Sequence, residues 1–215
     1  MIDKYLISNC LLIIDEFNEK YKNCSEEKLR DISDLKISEA DLVVSVGYPF
    51  RQMATFNMQG KSQDIVIESK DFVIEVKYLR NFNSKSNNVG EFRSNKLKWE
   101  EAFQKDFNWL TNEIKNYKKG KRAFILGWFN VENRNFADIM QLGAGTGKNP
   151  LINKERMKLF PFLNYDPKTE KTNDIKYRYG AAYKELTISL PGIDEHVSCM
   201  FVGKETDKFH FVIYW

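Results

Sequence analysis

The chain of 215 residues is poor in the residues that build disulfide frameworks and zinc sites. It has three cysteines, which are odd in number, far apart and never in the C-x-x-C spacing of a zinc site. The two histidines, His196 and His210, are also not spaced as metal ligands. The composition therefore argues against a disulfide-stabilised or zinc-dependent protein, and we expect both histidines to be structural.

Long hydrophobic runs are also scarce. Residues 5–14 form an apolar stretch, but it is too short to span a membrane. The acidic residue Asp3 precedes it, so it lacks the basic start of a signal peptide, and no small-residue cleavage site follows. We expect this stretch to be a helix packed on the domain, and the protein to be cytoplasmic with no membrane partner.

Neither sign of charge dominates, since 33 Lys and Arg oppose 30 Asp and Glu for a net charge of +3. A mildly basic balance is compatible with a polyanionic partner but does not indicate one. Hydrophobic residues make up 42% of the chain and charged residues 29%, as in ordinary globular proteins. The length suffices for a hydrophobic core, and we predict a single domain over residues 1–215.

The most informative segment is residues 63–77, where two apolar runs flank a polar break at 68–71. The pattern predicts a β-hairpin. If residues 69–70 form a two-residue turn, Asp64 lies opposite Glu75, and alternation along the strands gives the hairpin two distinct faces. The apolar face then holds Ile65, Ile67, Phe72, Ile74 and Val76, and the other face holds Asp64, Glu75 and Lys77.

Two carboxylates in directly opposed positions would lie roughly 5 Å apart at Cβ and would repel each other. Such a pair needs a cation, and a divalent metal ion is the usual one. Two alternatives stay open at this level. Ser-Lys is not a favoured two-residue turn, so the turn could be longer and an odd shift would separate the acids. Asp64 and Lys77 could also be ordinary solvated strand residues.

The segments around the hairpin predict helices and strands. Helical periodicity predicts a helix over 2–21, and Ser25 is a candidate cap for a second, short helix to Leu35. A capping box at Ser38 and Asp41 predicts a third helix to Gly47, with Glu39 in its first turn. Further predicted elements are a strand over 50–59, a loop over 81–93, a long helix over 94–117 and a strand over 123–129. The apolar stripe of the long helix comprises Trp99, Phe103, Phe107, Leu110, Ile114 and Tyr117.

Asp106 lies on that stripe, and we expect it to have a structural role. The rest of the chain predicts a short helix over 133–142 and a loop over 143–150. Three antiparallel strands are then expected at 186–190, 197–202 and 209–214.

Asp64, followed after ten residues by Glu75-Val76-Lys77, stands in a helix-strand-strand-strand-helix-strand order. This arrangement resembles the PD-(D/E)XK nuclease superfamily, over roughly residues 36–130. The resemblance implies an α/β protein with a mixed sheet and a restriction-endonuclease-like αβββαβ core. In addition to this core, we expect N-terminal helices and an accessory C-terminal region, residues 131–215, whose antiparallel strands pack on the core. Gln63 stands where the family name has proline, as in many members.

The resemblance also implies roles for individual residues. Asp64, Glu75 and the backbone carbonyl of Val76 would bind Mg²⁺ or Mn²⁺, and Lys77 would position or activate the attacking water. Glu39 would complete the site, although it could equally be only a favourable acid at a helix N-terminus. Family members often carry a Gln or Lys on the long helix facing the site, and the candidates for nucleic-acid contact are Lys96, Lys98 and Gln104.

The implied activity is hydrolysis of phosphodiester bonds by a metal-dependent nuclease. A DNA endonuclease in defence or restriction is expected, with DNA rather than RNA as the substrate. Such nucleases often pair subunits, so a homodimer is among the expected assemblies. The alternative is a non-enzymatic interaction protein on the same fold, such as an immunity protein, an antitoxin or a nucleic-acid-binding module.

Overall fold

A computed structural model describes residues 2–57, 63–79, 99–116, 121–142, 150–194 and 196–215. It opens with three helices, α1 (Ile2–Lys20), α2 (Glu26–Leu35) and α3 (Glu39–Gly47). Ser25 caps α2 by accepting a hydrogen bond from the Lys28 backbone N–H. Ser38 and Asp41 form a reciprocal capping box at the start of α3. The helices predicted from these caps are confirmed, because each side chain pairs with backbone donors that the helix itself leaves free.

A seven-stranded mixed sheet forms the centre of the α/β fold, in the order β1-β2-β3-β4-β9-β8-β7. Strands β3 and β4 are parallel, and the other neighbouring pairs are antiparallel. The strands are β1 (Thr55–Phe56), β2 (Ile65–Ile67), β3 (Phe72–Leu79), β4 (Lys121–Phe129), β7 (Glu185–Ser189), β8 (His196–Val202) and β9 (Phe209–Tyr214). A separate two-stranded sheet joins β5 (Leu163–Asn164) and β6 (Lys176–Tyr177).

The hairpin of β2 and β3 has the predicted register, with Ile65 opposite Ile74 and Ile67 opposite Phe72. Its turn differs from the two-residue turn at 69–70. Glu68–Lys70 form a 3₁₀ turn that ends at Asp71, whose φ is 46°. Aspartate tolerates this left-handed conformation better than most residues do. The register is unchanged because the four-residue connection still closes on the predicted pair of strand residues.

The strand predicted over 50–59 is much shorter in the structure, which has only Thr55–Phe56 as strand β1. A 3₁₀ helix, Tyr48–Phe50, occupies the start of the predicted segment, with Pro49 in its first turn. Proline favours the start of a helical turn because its φ is fixed and its missing N–H is not needed there. Residues 58–59 lie outside the described residues.

The long helix begins, within the described part of the chain, as a π-helical turn, Trp99–Phe103, and continues as α4 (Gln104–Asn116). The first four residues of the predicted apolar stripe are buried, whereas Ile114 is partly buried. The predicted loop over 81–93, the predicted start of the helix at 94–98 and Tyr117 lie outside the described residues.

The sheet separates two hydrophobic cores. Helices α1 to α3 pack on one face, where β3 contributes Ile74 and Val76. Helix α4 packs on the other face, where β3 contributes Leu79. Because side chains alternate along a strand, Glu75 and Lys77 lie on the face of α4. The acid and the amine of the hairpin are therefore placed against the second core.

The C-terminal part continues the same sheet. Helices α5 (Asn133–Ile139) and α6 (Lys154–Met157) precede the strands, so the helix predicted over 133–142 ends earlier than expected. The predicted antiparallel strands are present, and β9 pairs with β4, setting Tyr214 opposite Phe124. Residues 143–149 of the predicted loop are not among those described. In the described part of the chain, no helix is both long and apolar enough to cross a membrane.

Candidate functional site

Asp64 immediately precedes β2, and the register of the hairpin extended by one residue sets it opposite Glu75. Its Oδ2 accepts a hydrogen bond of 2.8 Å from the backbone N–H of Val76. This donor faces the edge of β3 beyond the point where β2 begins, so no strand residue pairs with it. The Asp64 carboxylate takes the place of the missing strand partner, and this fixes it at the edge of β3.

Glu39 meets the same edge from the first turn of α3. Its Oε2 accepts a hydrogen bond of 3.0 Å from the backbone N–H of Tyr78, the next donor along this edge of β3. The capping box at Ser38 fixes where α3 begins and therefore where Glu39 stands. Two acids from different elements are thus held side by side by consecutive outward-facing N–H groups of one strand.

Lys77 projects from β3 between two acids. Its Nζ lies 3.3 Å from Oε2 of Glu39 and 3.7 Å from Oδ2 of Asp106. The Lys77 side chain is 22% exposed, so its ammonium group is mostly withdrawn from bulk water. The structure therefore brings four of the residues singled out from the sequence, Asp64, Glu75, Lys77 and Glu39, to one end of β3.

Asp106, which we expected to be only structural, also faces this site. It lies in the first turn of α4, and its side chain is 5% exposed. Its Oδ2 is buried and has no hydrogen-bond partner among the residues that the structure describes. The available sequence signal was an acid within an apolar helical stripe, between Phe103 and Leu110. That signal could not show which strand residue the acid would meet.

Burial raises the pKa of three acids of this cluster, Asp64, Glu75 and Asp106. It raises the pKa of Glu75 to about 8, and the charges of Asp64 and Asp106 add to the effect. It raises the pKa of Asp64 to about 6, against the opposing effect of the Val76 hydrogen bond. Burial likewise raises the pKa of Asp106 to about 7, although the charge of Lys77 opposes it.

The amine of Lys77 responds in the opposite sense. Burial by itself would lower its pKa, but the charges of Asp106 and Glu39 outweigh burial, and the net effect is a raised pKa. Lys77 is therefore held as a cation among acids that are themselves reluctant to ionise. Burial makes Asp64, Glu75 and Asp106 costly to ionise, and a further positive charge at the site would favour their ionised forms.

A divalent cation fits the acid pair. Oε2 of Glu75 is buried and has no hydrogen-bond partner in the described part of the chain, so it is an unused acceptor there. The N–H and C=O of a strand residue point to the same edge, which directs the Val76 carbonyl toward Asp64. Two carboxylates with a carbonyl suit Mg²⁺ or Mn²⁺, which commonly complete their coordination with water and substrate phosphates.

A closed protein cage is not present, because in the described ranges no three His, Cys, Asp or Glu side chains form a group that could hold a metal ion. Glu39 already bonds the Tyr78 N–H and Lys77. It is therefore less free to act as a ligand than Asp64 or Glu75.

The candidate nucleic-acid contacts are only partly described. Lys96 and Lys98 lie outside the described residues. Gln104 is exposed on α4, and it borders an open pocket of about 630 Å³. The other residues lining the pocket are Glu100, Lys105, Asn108, Trp109 and Asn112. Gln104 thus stands on the outer side of the helix whose inner side carries Asp106.

The two histidines make contacts of a structural kind. His210 is buried, and its Nε2 lies 2.9 Å from the Lys204 carbonyl oxygen, to which it donates. Its ring packs edge-on against Trp128. His196 lies on β8, with its Nδ1 3.4 Å from Oγ of Ser189.

Comparisons of the chain with protein-family models, with curated proteins and with solved structures found no match. No relative therefore lends a function to this protein. What it does has to be inferred from the chemistry of the cluster at the end of β3.

Proposed function

We propose that the protein is a metal-dependent nuclease of the PD-(D/E)XK type that hydrolyses phosphodiester bonds in DNA. The observation that carries the proposal is the register of the β2–β3 hairpin. It sets Asp64 opposite Glu75, with Lys77 two residues farther along the same face. An acid pair can hold a divalent cation, and the amine beside it adds positive charge for the developing negative charge of phosphodiester hydrolysis.

The order of elements around the hairpin supports the same proposal. Helix α3, strands β1 to β3, helix α4 and strand β4 follow one another along the chain, and β4 lies parallel to β3. This is the helix-strand-strand-strand-helix-strand order that the resemblance implies for a restriction-endonuclease-like core. In this arrangement the candidate residues come from three neighbouring elements at one end of the sheet.

Each residue of the site has a chemical task in phosphodiester hydrolysis. Asp64, Glu75 and the Val76 carbonyl would hold the cation, which when bound polarises a phosphate oxygen and lowers the pKa of a water molecule. Lys77 adds fixed positive charge where negative charge develops on the phosphoryl group. Glu39 orients Lys77 and closes the edge of β3 through the Tyr78 N–H.

The raised pKa values of the acids support the need for a cation. With pKa values of about 6 and about 8, Asp64 and Glu75 are costly to ionise together near neutral pH. A divalent cation favours their ionised forms, so its binding removes the repulsion and releases protons.

On the outer side of α4, Gln104 and Lys105 are suited to contact the nucleic-acid backbone.

The proposal is tested by incubating plasmid, linear and single-stranded DNA, and RNA, with the protein in Mg²⁺, Mn²⁺ or EDTA. We expect cleavage of DNA with either metal and none in EDTA. Asp64→Asn and Lys77→Met should each lower the rate by about 100-fold or more. Glu68→Gln is the matched control, because it removes an exposed acid from the turn of the same hairpin.

Equal behaviour of the wild type, Asp64→Asn and Lys77→Met on every substrate would show that the proposal is wrong. Nucleic-acid binding without cleavage in any metal would instead favour the non-enzymatic alternative. Cleavage of RNA in preference to DNA would leave the chemistry in place and correct the substrate.

A further inference from the structure

Asp106 is the most buried acid of the cluster, and it comes from the opposite side of the site to Glu39. Its side chain is 5% exposed, whereas that of Glu39 is 43% exposed. Its Oδ2 accepts no hydrogen bond, and Lys77 Nζ is 3.7 Å away. A buried carboxylate oxygen without a hydrogen bond is costly, so a nearby cation is what makes it tolerable.

Lys77 therefore has two counter-ions of different kinds. Glu39 is partly exposed, and it is shared with the Tyr78 N–H. Solvent, a cation or substrate can reach it, so its bond to Lys77 can be exchanged. Asp106 is buried on α4, where solvent does not reach it, so its contact with Lys77 is the more permanent of the two.

The backbone of α4 explains how an acid comes to occupy this position. Within the described part of the chain, a π-helical turn, Trp99–Phe103, directly precedes the α-helical segment that carries Asp106. A π-turn inserts an extra residue and rotates the side chains that follow, and such turns are frequent at functional sites. The aromatic residues of the turn stay buried while Asp106 is directed to the sheet.

We propose that Asp106 is a positioning residue that holds the ammonium group of Lys77 at the reacting phosphate while Glu39 exchanges partners. The catalytic consequence rests on the proposed nuclease function, but the contact itself does not. Asp106 acts through Lys77, and it is not a catalytic residue in its own right. Loss of its charge should therefore impair turnover without impairing the binding of DNA.

The contact is tested without metal or substrate, by a double-mutant cycle in EDTA. Asp106→Asn is made in the wild type and in Lys77→Gln, and the Tm of each protein is measured. We expect the change in Tm on Asp106→Asn to be more negative, by about 2 °C or more, when Lys77 is present. Equal changes in the two backgrounds would overturn the proposal, whatever their sign.

Glu113→Gln provides the matched control in the same cycle. Glu113 is a second buried acid of α4, and it pairs with Arg122 at 2.7 Å. Its substitution should change Tm equally with and without Lys77. If Glu113→Gln shows the same dependence on Lys77, the coupling is a general charge effect and the specific role of Asp106 is lost.

The kinetic arm measures kcat and KM for DNA cleavage in Mg²⁺. Asp106→Asn should lower kcat about tenfold or more and change KM less than twofold, because the substitution misplaces one charged group. Glu113→Gln should leave kcat unchanged. An unchanged kcat in Asp106→Asn would show that positioning of Lys77 by Asp106 does not contribute to turnover. If the wild type cleaves no substrate, the proposed function is wrong. The double-mutant cycle in EDTA would still test whether Asp106 and Lys77 interact.

Discussion

At the scale of single residues, the site is a cluster of acids that the fold makes hard to ionise. Burial raises the pKa of Glu75 above that of an ordinary carboxyl, and its Oε2 has no hydrogen bond. Functional residues often oppose stability in this way, because the interaction that relieves them comes from a ligand. The acids of this site should therefore weaken the metal-free protein and strengthen the metal-bound one.

Replacing Glu75 by Gln should raise Tm of the metal-free protein at pH 8 by about 3 °C and abolish the gain in Tm caused by Mg²⁺. The folded pKa of Glu75, about 8, exceeds its unfolded value. Its ionisation therefore costs stability, which is lost as pH rises through about 8 and regained at lower pH. Thermal melts in EDTA from pH 9 to 6.5 should show a larger gain for the wild type than for Glu75→Gln, which keeps only the gains from Asp64 and Asp106.

A Glu75→Gln variant that is less stable than the wild type in EDTA, and that still gains stability from Mg²⁺, would contradict this assignment. Glu68→Gln, in the exposed turn, should follow the wild type at every pH.

The contribution of His210 to stability should depend on pH in the sense opposite to that of Glu75. Burial lowers the pKa of His210 to about 4, and its Nδ1 is buried without a partner. Protonation would place an unpaired N–H there, so the neutral ring is the stable form. Its contribution is present above the unfolded pKa of about 6.5 and is lost as pH falls toward 4.

We expect the free energy of unfolding to fall by up to about 3 kcal/mol more in the wild type than in His210→Gln between pH 6.5 and 4. Urea denaturation at several pH values measures this difference. Parallel pH profiles for the two proteins would show that His210 is not buried in its neutral form.

At the scale of elements, the start of α3 and the hairpin determine where the acids stand. The alternation of side chains and the closing pair at Ile67 and Phe72 allowed the hairpin register to be predicted from the sequence. The capping box allowed the start of α3 to be predicted. The form of the turn was not predictable, because the left-handed Asp71 is also held by Arg122, 51 residues later in the sequence. The role of Asp106 likewise depends on packing between elements distant in the chain.

Ser38→Ala removes the capping box of α3 and should destabilise the protein by about 1 kcal/mol. It should also slow DNA cleavage several-fold, because the start of α3 fixes Glu39 against the Tyr78 N–H. Ser25→Ala removes the cap of α2 and is the control. It should cost similar stability and leave cleavage unchanged. Equal loss of cleavage in both variants would show that the position of Glu39 at the start of α3 is not what cleavage depends on.

At the scale of the whole molecule, strands β1 to β4 and the C-terminal strands β7 to β9 form one sheet. The αβββαβ order over residues 36–130 could be inferred from the sequence, and so could the C-terminal meander. Where the meander docks could not, because pairing between β4 and β9 joins residues far apart in sequence that have no distinguishing pattern. The site therefore lies on a sheet whose central strand, β4, pairs with β3 on one side and with the C-terminal strand β9 on the other.

A chain ending at residue 142 should not fold into a stable domain. It would lack β9, and the fully buried side chains of Phe124, Leu126 and Trp128 on β4 would be exposed. Circular dichroism melts of this fragment should show no cooperative transition. A cooperative melt, or metal-induced stabilisation like that of the full chain, would show that the C-terminal strands are dispensable.

The most direct measurement of the central claim is anomalous diffraction from crystals grown with Mn²⁺. We predict one strong peak about 2.0–2.3 Å from carboxylate oxygens of Asp64 and Glu75 and from the Val76 carbonyl, absent in Asp64→Asn. A peak bound elsewhere, or no peak at the edge of β3 in crystals soaked at millimolar Mn²⁺, would contradict the claim that these two acids share a divalent ion.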